Sequence, residues 1–216
     1  MRVLPASNEN LEEAVSIIRN GGVVAHPTET CYGFACDLTN PEAVKKLALL
    51  KKRPKGQPIS ALFASLEEAA VWVEWNEKAE ELAQQYLPGP LTIILPLKNR
   101  GGKSGAIYRY IESVEDVSGN AKERKGGTLG IRVSSYPIAQ KLSELCKVPL
   151  STTSANLHGK PEPYSAEEIL EQFRREKLQP DLILDGGSLP PAPPSTVVLV
   201  KEGGIDVVRQ GGITVQ

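Results

Sequence analysis

The chain has 216 residues, 40% of them hydrophobic and 24% charged, with a formal net charge of −1 at pH 7. This length and apolar content suit one α/β domain, and the near-zero charge argues against a surface that is basic throughout while leaving room for a local basic patch. No apolar run approaches the roughly 18 residues of a membrane-spanning helix, no signal-peptide core follows Met1, and three cysteines without a CxxC pair fit a reducing cytoplasm better than a disulfide or zinc framework.

Apolar periodicity predicts alternating helices and strands through the first hundred residues. One amphipathic helix ends at Gly21-Gly22, Pro41 suits the first position of the next, and Ser65 with Glu68 resembles a capping box. The predicted helices cover 9–20, 41 to the Lys51–Arg53 block, a segment after Ser65, and 76–87. The predicted strands cover 23–25, 59–63 and 91–97.

Residues 98–127 differ from the rest, being rich in Gly, Lys, Glu and Ser, and we expect a flexible insertion or lid there. Beyond them, strands are predicted at 128–133, 149–152 and 182–184, helices at 137–146 and 166–176, and a closing hairpin at 197–200 and 205–209. The alternation predicts a single α/β domain over residues 1–216, with a mixed, twisted sheet flanked by helices.

The most informative segment is His26-Pro-Thr-Glu-Thr-Cys-Tyr-Gly33, which follows an apolar run. It places two threonine hydroxyls, a carboxylate, a phenol and a glycine within eight residues. Such a loop at the end of a strand can present several short hydrogen-bonding groups to a small polar ligand. Four further polar blocks follow downstream, at 51–54, 88–92, 151–156 and 195–198.

Two interpretations are open for Lys51 and Arg53 at the end of a predicted helix. They can complement the helix dipole, or they can clamp phosphates, with lysine as a point charge and arginine as a bidentate fork. The block at 151–156 is similarly open, because serine and asparagine also serve turns and helix caps. Its four hydroxyls and one amide exceed what a cap requires, which favours a ligand site at a strand end.

Arg132 lies inside an apolar predicted strand, where an arginine needs a partner. That partner is either a ligand carboxylate or a protein carboxylate, and Arg209 poses the same choice. His26 and His158, the only histidines, show no metal-ligand spacing and are interpreted as packing or turn residues. No Ser-His-Asp order, P-loop or Rossmann glycine fingerprint is found, so neither a dedicated nucleophile nor a common nucleotide cradle is expected.

Taken in order, the polar blocks resemble the motifs of the YrdC family, the threonylcarbamoyl-AMP synthases. The family motifs read PTETVYGLG, KGRP with an NPL-like triplet, PGPLT, a strand ending in arginine, SANLSG, and STV followed by a late arginine. The matching segments here are 27–34, 51–54 with 57–59, 88–92, 128–132, 154–159, and 195–197 with Arg209. The Lys-x-Arg and Ser-x-Asn signatures are intact, and the resemblance covers nearly the whole chain.

The resemblance implies a single YrdC-like domain with a mostly mixed or antiparallel sheet and a concave ligand-binding groove. It implies an L-threonylcarbamoyladenylate synthase, a nucleotidyltransferase that condenses L-threonine, bicarbonate and ATP, with Mg²⁺, and releases pyrophosphate. The adenylate would serve partner proteins that modify ANN-decoding tRNAs, and tRNA binding is a further implication. By carry-over, the threonine-binding residues are Thr30, Arg132, Thr152 and Ser195. The ATP-binding residues are Lys51, Arg53, Gln57, Thr128, Ser154, Asn156 and Arg209.

Three positions depart from the family pattern and bear on substrate choice. His26 replaces an aromatic residue, Leu62 replaces a histidine that contacts threonine in some relatives, and His158 replaces the second serine of SANLSG. Two alternatives follow from the resemblance. One is a YrdC-like paralogue that binds or acts on RNA through a basic patch at 51–55, without synthase activity. The other is carbamoyl transfer to another acceptor, as in hydrogenase-maturation and antibiotic carbamoyltransferases, whose zinc-finger or kinase-like neighbours are not recognised here.

Overall fold

The computed structural model describes residues 1–54, 59–98 and 127–215. Its strands are β1 (Arg2–Pro5), β2 (Val24–His26), β3 (Gly33–Ala35), β4 (Ser60–Leu62), β5 (Leu91–Pro96), β6 (Thr128–Arg132), β7 (Leu150–Ser154), β8 (Leu182–Asp185), β9 (Thr196–Lys201) and β10 (Gly204–Arg209). They form one ten-stranded sheet in the order β1-β8-β2-β3-β7-β4-β6-β5-β9-β10. Both parallel pairs, such as β4 with β6, and antiparallel pairs, such as β5 with β6, occur, which confirms the predicted mixed sheet.

The helices of the described residues are α1 (Asn8–Arg19), α2 (Pro41–Leu50), α3 (Leu66–Ala70), α4 (Glu77–Tyr86), α5 (Pro137–Cys146) and α6 (Ala166–Phe173). Their starts follow the sequence signals. Asn40 caps α2 by accepting from the backbone N–H groups of the first turn, with Pro41 next to it. Ser65 caps α3 in the same way, but the Glu68 carboxylate accepts from the N–H of Ala64 instead of returning to Ser65.

The two faces of the sheet are covered differently, and this difference creates the site. Alternate residues of β2 and β8 point to opposite faces, so that Ile183 joins a large core with α2, α3, α4 and α6. Leu182 and Leu184 join a smaller core with α1 and α5. The smaller core ends at Leu62 and Leu150, and beyond them the same face of the sheet carries polar side chains.

Most predicted elements are confirmed, with ends that shift by one to three residues. The helix predicted over 166–176 is too long, because α6 ends at Phe173, its last fully buried side chain. Two strands were missed. β1 is largely exposed and depends on parallel pairing with β8, and β3 is a three-residue segment that pairs with both β2 and β7.

Two predictions fall on parts of the chain outside the described residues. These are the insertion or lid at 98–127, of which only Lys98 and Gly127 are described, and the nucleotide contact at Gln57. Among the helices that are described, none combines the length and the apolar character needed to cross a membrane.

Candidate functional site

Strand β6 shows how the sequence builds the floor of the site. Its residues Thr128, Gly130 and Arg132 line a cavity, while Leu129 and Ile131 lie in the large core on the opposite face. This division follows from the two-residue period of a β-strand. An arginine inside an apolar strand is therefore explained, because its position belongs to the polar face.

The cavity has a volume of about 370 Å³ and is walled by strands β4 to β7, β9 and β10 with the loops beside them. Nine serine and threonine residues line it, so hydroxyl groups dominate the polar surface. The charged residues that line it are Arg53, Arg132, Arg209 and Glu162. Among the described residues of the lining, three cations against one anion make this a pocket suited to an anionic ligand.

Gly130 keeps the floor of this cavity open. A Cβ atom at this position would meet the Ser60 side chain and would lie 3.1 Å from Cγ2 of Thr92. Any side chain would therefore press on side chains of β4 and β5, the two strands that flank β6. Glycine is needed here because there is no room for a side chain, and not because of an unusual backbone conformation, since its φ is not positive.

The loop between β2 and β3 is held by the hydroxyl of Thr28. Thr28 Oγ1 donates to the carbonyl of Cys31 at 2.6 Å and lies 3.0 Å from Thr30 Oγ1. Because a hydroxyl has a single proton, Thr28 must accept in its contact with Thr30. The Thr30 hydroxyl is in turn oriented by Arg132, whose Nη2 donates to it at 2.9 Å. The loop thus presents an ordered hydroxyl to the cavity.

Arg132 is 7% exposed and pairs with the Glu29 carboxylate at 2.7 Å. Burial raises the pKa of Glu29, but the charge of Arg132 and the hydrogen bonds from Ser134 and Arg132 outweigh it, so the pKa lies below its usual value. The protein carboxylate expected by one interpretation is therefore present. The guanidinium still has a buried Nε–H with no hydrogen-bond partner among the described residues.

A second polar cluster joins β10 to the start of β9. Arg209 donates from Nε and Nη2 to the carbonyl of Ser195, at 3.1 and 2.9 Å, and from Nη2 to the Ser195 hydroxyl at 2.9 Å. The Ser195 hydroxyl lies 3.1 Å from Thr92 Oγ1. Arg209 thus contacts a carbonyl and a hydroxyl here, and no protein carboxylate is recorded as its partner within the described residues.

Lys51 is 4% exposed and reaches away from its helix to the end of β7. Its Nζ donates to the carbonyl of Asn156 at 2.9 Å, to Asn156 Oδ1 at 3.0 Å, and to the carbonyl of Ser154. Asn156 Oδ1 also accepts from the Ser154 hydroxyl at 2.7 Å. Burial, together with the nearby charge of Arg53, lowers the pKa of Lys51 to about 7. The ammonium therefore fixes the turn after β7, a role that the sequence interpretation did not consider, and its contact with phosphates stays a prediction.

Comparison with known proteins assigns the chain to a family. Residues 16–211 match the Sua5/YciO/YrdC family profile, whose description reads "Telomere recombination". The chain is a member of the Sua5/YciO/YrdC family. This confirms the resemblance drawn from the polar blocks.

Individual relatives agree with the family assignment. The chain is 34% identical to a threonylcarbamoyl-AMP synthase of Pyrococcus abyssi, over all of this chain and 59% of that protein. It is 30% identical to a Vibrio cholerae threonylcarbamoyl-AMP synthase, over 94% of this chain and 98% of that one. The chain thus spans little more than half of the first relative and nearly all of the second.

Solved structures show the same fold. Pyrococcus abyssi Sua5 complexed with L-threonine matches with a TM-score of 0.81 at 33% identity, over 98% of this chain and 56% of that one. Escherichia coli YciO matches with a TM-score of 0.77 at 28% identity, over 97% and 94% of the two chains. The comparison therefore confirms that this chain has the YrdC-like fold.

Most residues predicted to bind substrates come together around the cavity. The lining includes Thr30, Arg132, Thr152, Ser195, Arg53, Thr128, Ser154 and Arg209. Lys51 and Asn156 lie beside the wall and contact Ser154, while Gln57 is outside the described residues. The ligand assigned to each residue stays a prediction.

The three departures from the family motifs lie in different surroundings. His26 is buried, its Nδ1 lies 3.2 Å from the Pro27 carbonyl, and burial lowers its pKa to about 4, so that the ring is neutral. Leu62 is 1% exposed and belongs to the smaller core. His158 is exposed, and its backbone N–H donates to the Lys51 carbonyl at 2.8 Å.

The site also contains residues that the sequence interpretation did not single out as binding residues. Glu29 was counted only as part of a polar loop, although it pairs with Arg132. Gly130 carries a signal in the two-residue period, because it lies between Thr128 and Arg132 on the same face of β6. Ser60 carries no such signal, because only the pairing of β4 with β7 places it beside Thr152. Glu162 lies three residues beyond the 154–159 motif, between two prolines, and nothing in a single sequence marks it as part of the cavity.

Proposed function

We propose that this protein is an L-threonylcarbamoyladenylate synthase. It condenses L-threonine, bicarbonate and ATP to threonylcarbamoyl-AMP and pyrophosphate, which makes it a nucleotidyltransferase. Its product serves threonylcarbamoyladenosine formation in ANN-decoding tRNAs, in the cytoplasm, with partner proteins that accept the adenylate. The names of the full-length Vibrio cholerae relative and of the threonine-bound Sua5 structure support this proposal.

The observation that carries the proposal is the placement of Arg132. Its guanidinium lines a hydroxyl-rich cavity, is fixed by Glu29 and Thr30, and keeps an unpartnered Nε–H. A carboxylate is the acceptor that a guanidinium matches best. We assign the threonine carboxylate to Arg132 and the threonine hydroxyl and amine to the surrounding oxygens of Thr30, Thr152 and Ser195.

The phosphates of ATP are assigned to the remaining cations of the cavity. Arg53 and Arg209 line it together with the hydroxyls of Thr128 and Ser154. Arg209 already uses one edge on Ser195, which holds its guanidinium in place for a second ligand. Lys51 supports this region through the turn that carries Ser154 and Asn156, and we assign it to positioning as well as charge.

The chemistry needs alignment and charge stabilisation more than a protein nucleophile. The threonine amine attacks the carbon of CO₂ formed from bicarbonate and loses a proton, giving a carbamate. A carbamate oxygen then attacks the α-phosphorus, and the bond to the β-phosphate oxygen breaks to release pyrophosphate. Holding both substrates in one cavity lowers the entropic barrier and shields the labile carbamate from water. The arginines stabilise the negative charge that develops on the phosphates.

Mg²⁺ is expected to enter with ATP, and when bound it neutralises charge on the phosphate oxygens. The donor set fits this role. Among the described ranges, no group of three or more His, Cys, Asp and Glu side chains is placed to hold a metal ion by itself. A Mg²⁺ held mainly by phosphates and water needs only one or two carboxylates, which this cavity can supply.

No observation favours the RNA-binding alternative. The basic patch it requires would include Lys51, which is buried, and Lys52, whose ammonium pairs with Glu176 at 2.7 Å. Lys55 lies outside the described residues. The HypF structures, at 20% identity, show the fold alone and give no support to the carbamoyltransferase alternative.

Pyrophosphate release from ATP tests the proposal. Purified protein is supplied with ATP, Mg²⁺ and bicarbonate, with and without L-threonine, and with L-serine or L-valine as matched amino acids. We expect release that depends on L-threonine and bicarbonate. Pyrophosphate release that is the same with and without threonine, or tRNA binding without any pyrophosphate release, would count against the synthase.

A further inference from the structure

One charged residue of the cavity remains without a role. Glu162 is the one carboxylate among the described residues that line the cavity, and it is half-buried. Glu29, the other acid nearby, is committed to Arg132 and Ser134. For the Glu162 carboxylate, no hydrogen bond or ion pair is found within the described ranges. A carboxylate that is partly removed from water and has no direct hydrogen-bond or ion-pair partner is open to bind a cation.

The backbone around Glu162 is rigid, so its position is built rather than accidental. Pro161 and Pro163 fix φ on either side. The carbonyl of Pro161 accepts from Gln172 Nε2 at 2.9 Å, and that of Pro163 accepts from the backbone N–H of Tyr32 at 2.9 Å. These anchors join the segment to α6 on one side and to the start of β3 on the other. The segment that carries the carboxylate into the cavity is thus held in place by hydrogen bonds on both sides of Glu162.

Glu162 also lies within electrostatic range of the cations assigned to phosphates. Burial and Arg53 lower the pKa of Lys51, and the Glu162 charge acts in the opposite direction. Burial likewise lowers the pKa of Arg209, and Glu162 opposes this shift too. Glu162 lines the same cavity as Arg53 and Arg209. Burial raises the pKa of Cys31 in the loop before β3, and the charge of Glu162 contributes to this rise, so the carboxylate acts on both the phosphate side and the threonine side of the cavity.

A carboxylate beside a triphosphate presents a physical conflict. Two like charges in close contact repel each other strongly at the effective dielectric constant of a protein surface. A divalent cation between them reverses the sign of the interaction. Mg²⁺ is bound in nucleotide sites through one or two carboxylates together with phosphate oxygens and water. The donor set of this cavity, with one free carboxylate among cations, matches that arrangement.

We propose that Glu162 contributes to the coordination sphere of the Mg²⁺ that accompanies ATP, directly or through a bound water. The cavity then selects the metal complex of ATP over the metal-free nucleotide. This inference rests on the proposed function, in that it takes the phosphates of ATP to lie beside Arg53 and Arg209.

Equilibrium binding of ATP, measured calorimetrically without threonine or bicarbonate, tests this inference apart from catalysis. The wild type, Glu162→Gln and the matched control Glu167→Gln are each titrated in Mg²⁺ and in EDTA. Glu167 is exposed at the start of α6, five residues along the chain, and does not line the cavity. Mg²⁺ should tighten ATP binding to the wild type and the control about tenfold or more.

Glu162→Gln should change the affinity for ATP in opposite directions in Mg²⁺ and in EDTA. Binding of MgATP weakens because a ligand oxygen with full charge is lost, and binding of metal-free ATP strengthens because the repulsion is removed. A merely structural role would weaken both. An unchanged Mg²⁺ effect in Glu162→Gln, or equal weakening in both conditions, would overturn the inference while leaving the synthase proposal standing. If the wild type bound ATP in neither condition, the proposed function itself would fail.

Discussion

Nη2 of Arg132 donates to the hydroxyl of Thr30 over 2.9 Å and thereby ties β6 to the loop that precedes β3. The two residues are 102 positions apart in the chain. The same guanidinium is held by Glu29 from that loop. The contact brings the first polar block and the arginine strand into one site, and it fixes both the charge and the hydroxyl that we assign to threonine.

Replacement of Arg132 by lysine should weaken threonine use. Lysine keeps a positive charge opposite Glu29 but loses the planar fork, so the threonine KM should rise roughly 10- to 100-fold. Alanine is a poorer test, because an unpaired buried carboxylate costs about 3–5 kcal/mol of stability. Threonine-dependent pyrophosphate release measures the effect. Arg174→Lys, at an exposed ion pair, is the matched control, and an unchanged threonine KM in Arg132→Lys would refute the assignment.

Sequence reasoning identified Arg132 but could not choose its partner. An arginine in an apolar strand indicates that a counter-charge is needed, and both a ligand and a protein carboxylate meet that need. Glu29 lies 103 residues away, and only the pairing of β3, β7, β4 and β6 in the sheet brings it close. The alternating pattern predicted which strand carries the site, and the sheet order decided which side chains meet.

Enlargement of Gly130 should close the cavity without unfolding the protein. The Cβ of Gly130→Ala would press on Ser60 and Thr92, and Gly130→Val would fill more of the floor. We expect kcat/KM to fall about tenfold or more for valine, with a smaller loss for alanine. Steady-state kinetics and thermal unfolding measure the two effects. Gly212→Ala is the control, since its Cβ would meet Pro193 at an ordinary 3.7 Å; full activity in Gly130→Val would show that the floor is not used.

Lys51 should make stability depend on pH above neutrality. Its pKa is about 7 in the folded protein, below its unfolded value, so the unfolded chain binds more protons between these two values. The free energy of unfolding therefore rises with pH in that window, by up to about 1.4 kcal/mol per pH unit from this residue. Below pH 7 the full cost of burying the charge remains.

Urea unfolding of the wild type and Lys51→Met at pH 6, 7.5 and 9 isolates this contribution. Burial raises the pKa of Cys36 and of Cys146 to about 12, and these thiols oppose the rise at high pH, so the difference between variants is the quantity to compare. The difference should change with pH for Lys51→Met and stay flat for exposed Lys45→Met. A pH-independent difference for Lys51→Met would contradict the lowered pKa.

Arg209 should matter for ATP more than for folding. It is exposed at the edge strand β10, and its contacts with Ser195 leave part of the guanidinium towards the cavity. Arg209→Ala should raise the ATP KM about tenfold and change the free energy of unfolding by about 1 kcal/mol or less. Kinetics at varied ATP, together with urea unfolding, separate the two effects. A large loss of stability with an unchanged ATP KM would make Arg209 a structural residue.

The role of Lys51 shows a limit of single-sequence reasoning. A lysine two residues before an arginine at a helix end indicates a dipole partner or a phosphate clamp, and nothing in the sequence indicates an additional positioning role. In the fold, Lys51 is buried and directs its ammonium to the carbonyls after β7. Strand β1 was missed for a different reason. Its mostly exposed residues carry no hydrophobic pattern, and they form a strand only by pairing with β8.

The most direct test follows the carbon of bicarbonate. If Arg132 holds the threonine carboxylate, the amine end of threonine is the part that reacts, and its carbamate attacks ATP. With ¹³C-bicarbonate, mass spectrometry of the adenylate product should then show the label in threonylcarbamoyl-AMP, formed together with pyrophosphate. An unlabelled threonyl-adenylate would mean that the carboxylate itself attacks the α-phosphorus, which would contradict both the role of Arg132 and the proposed reaction.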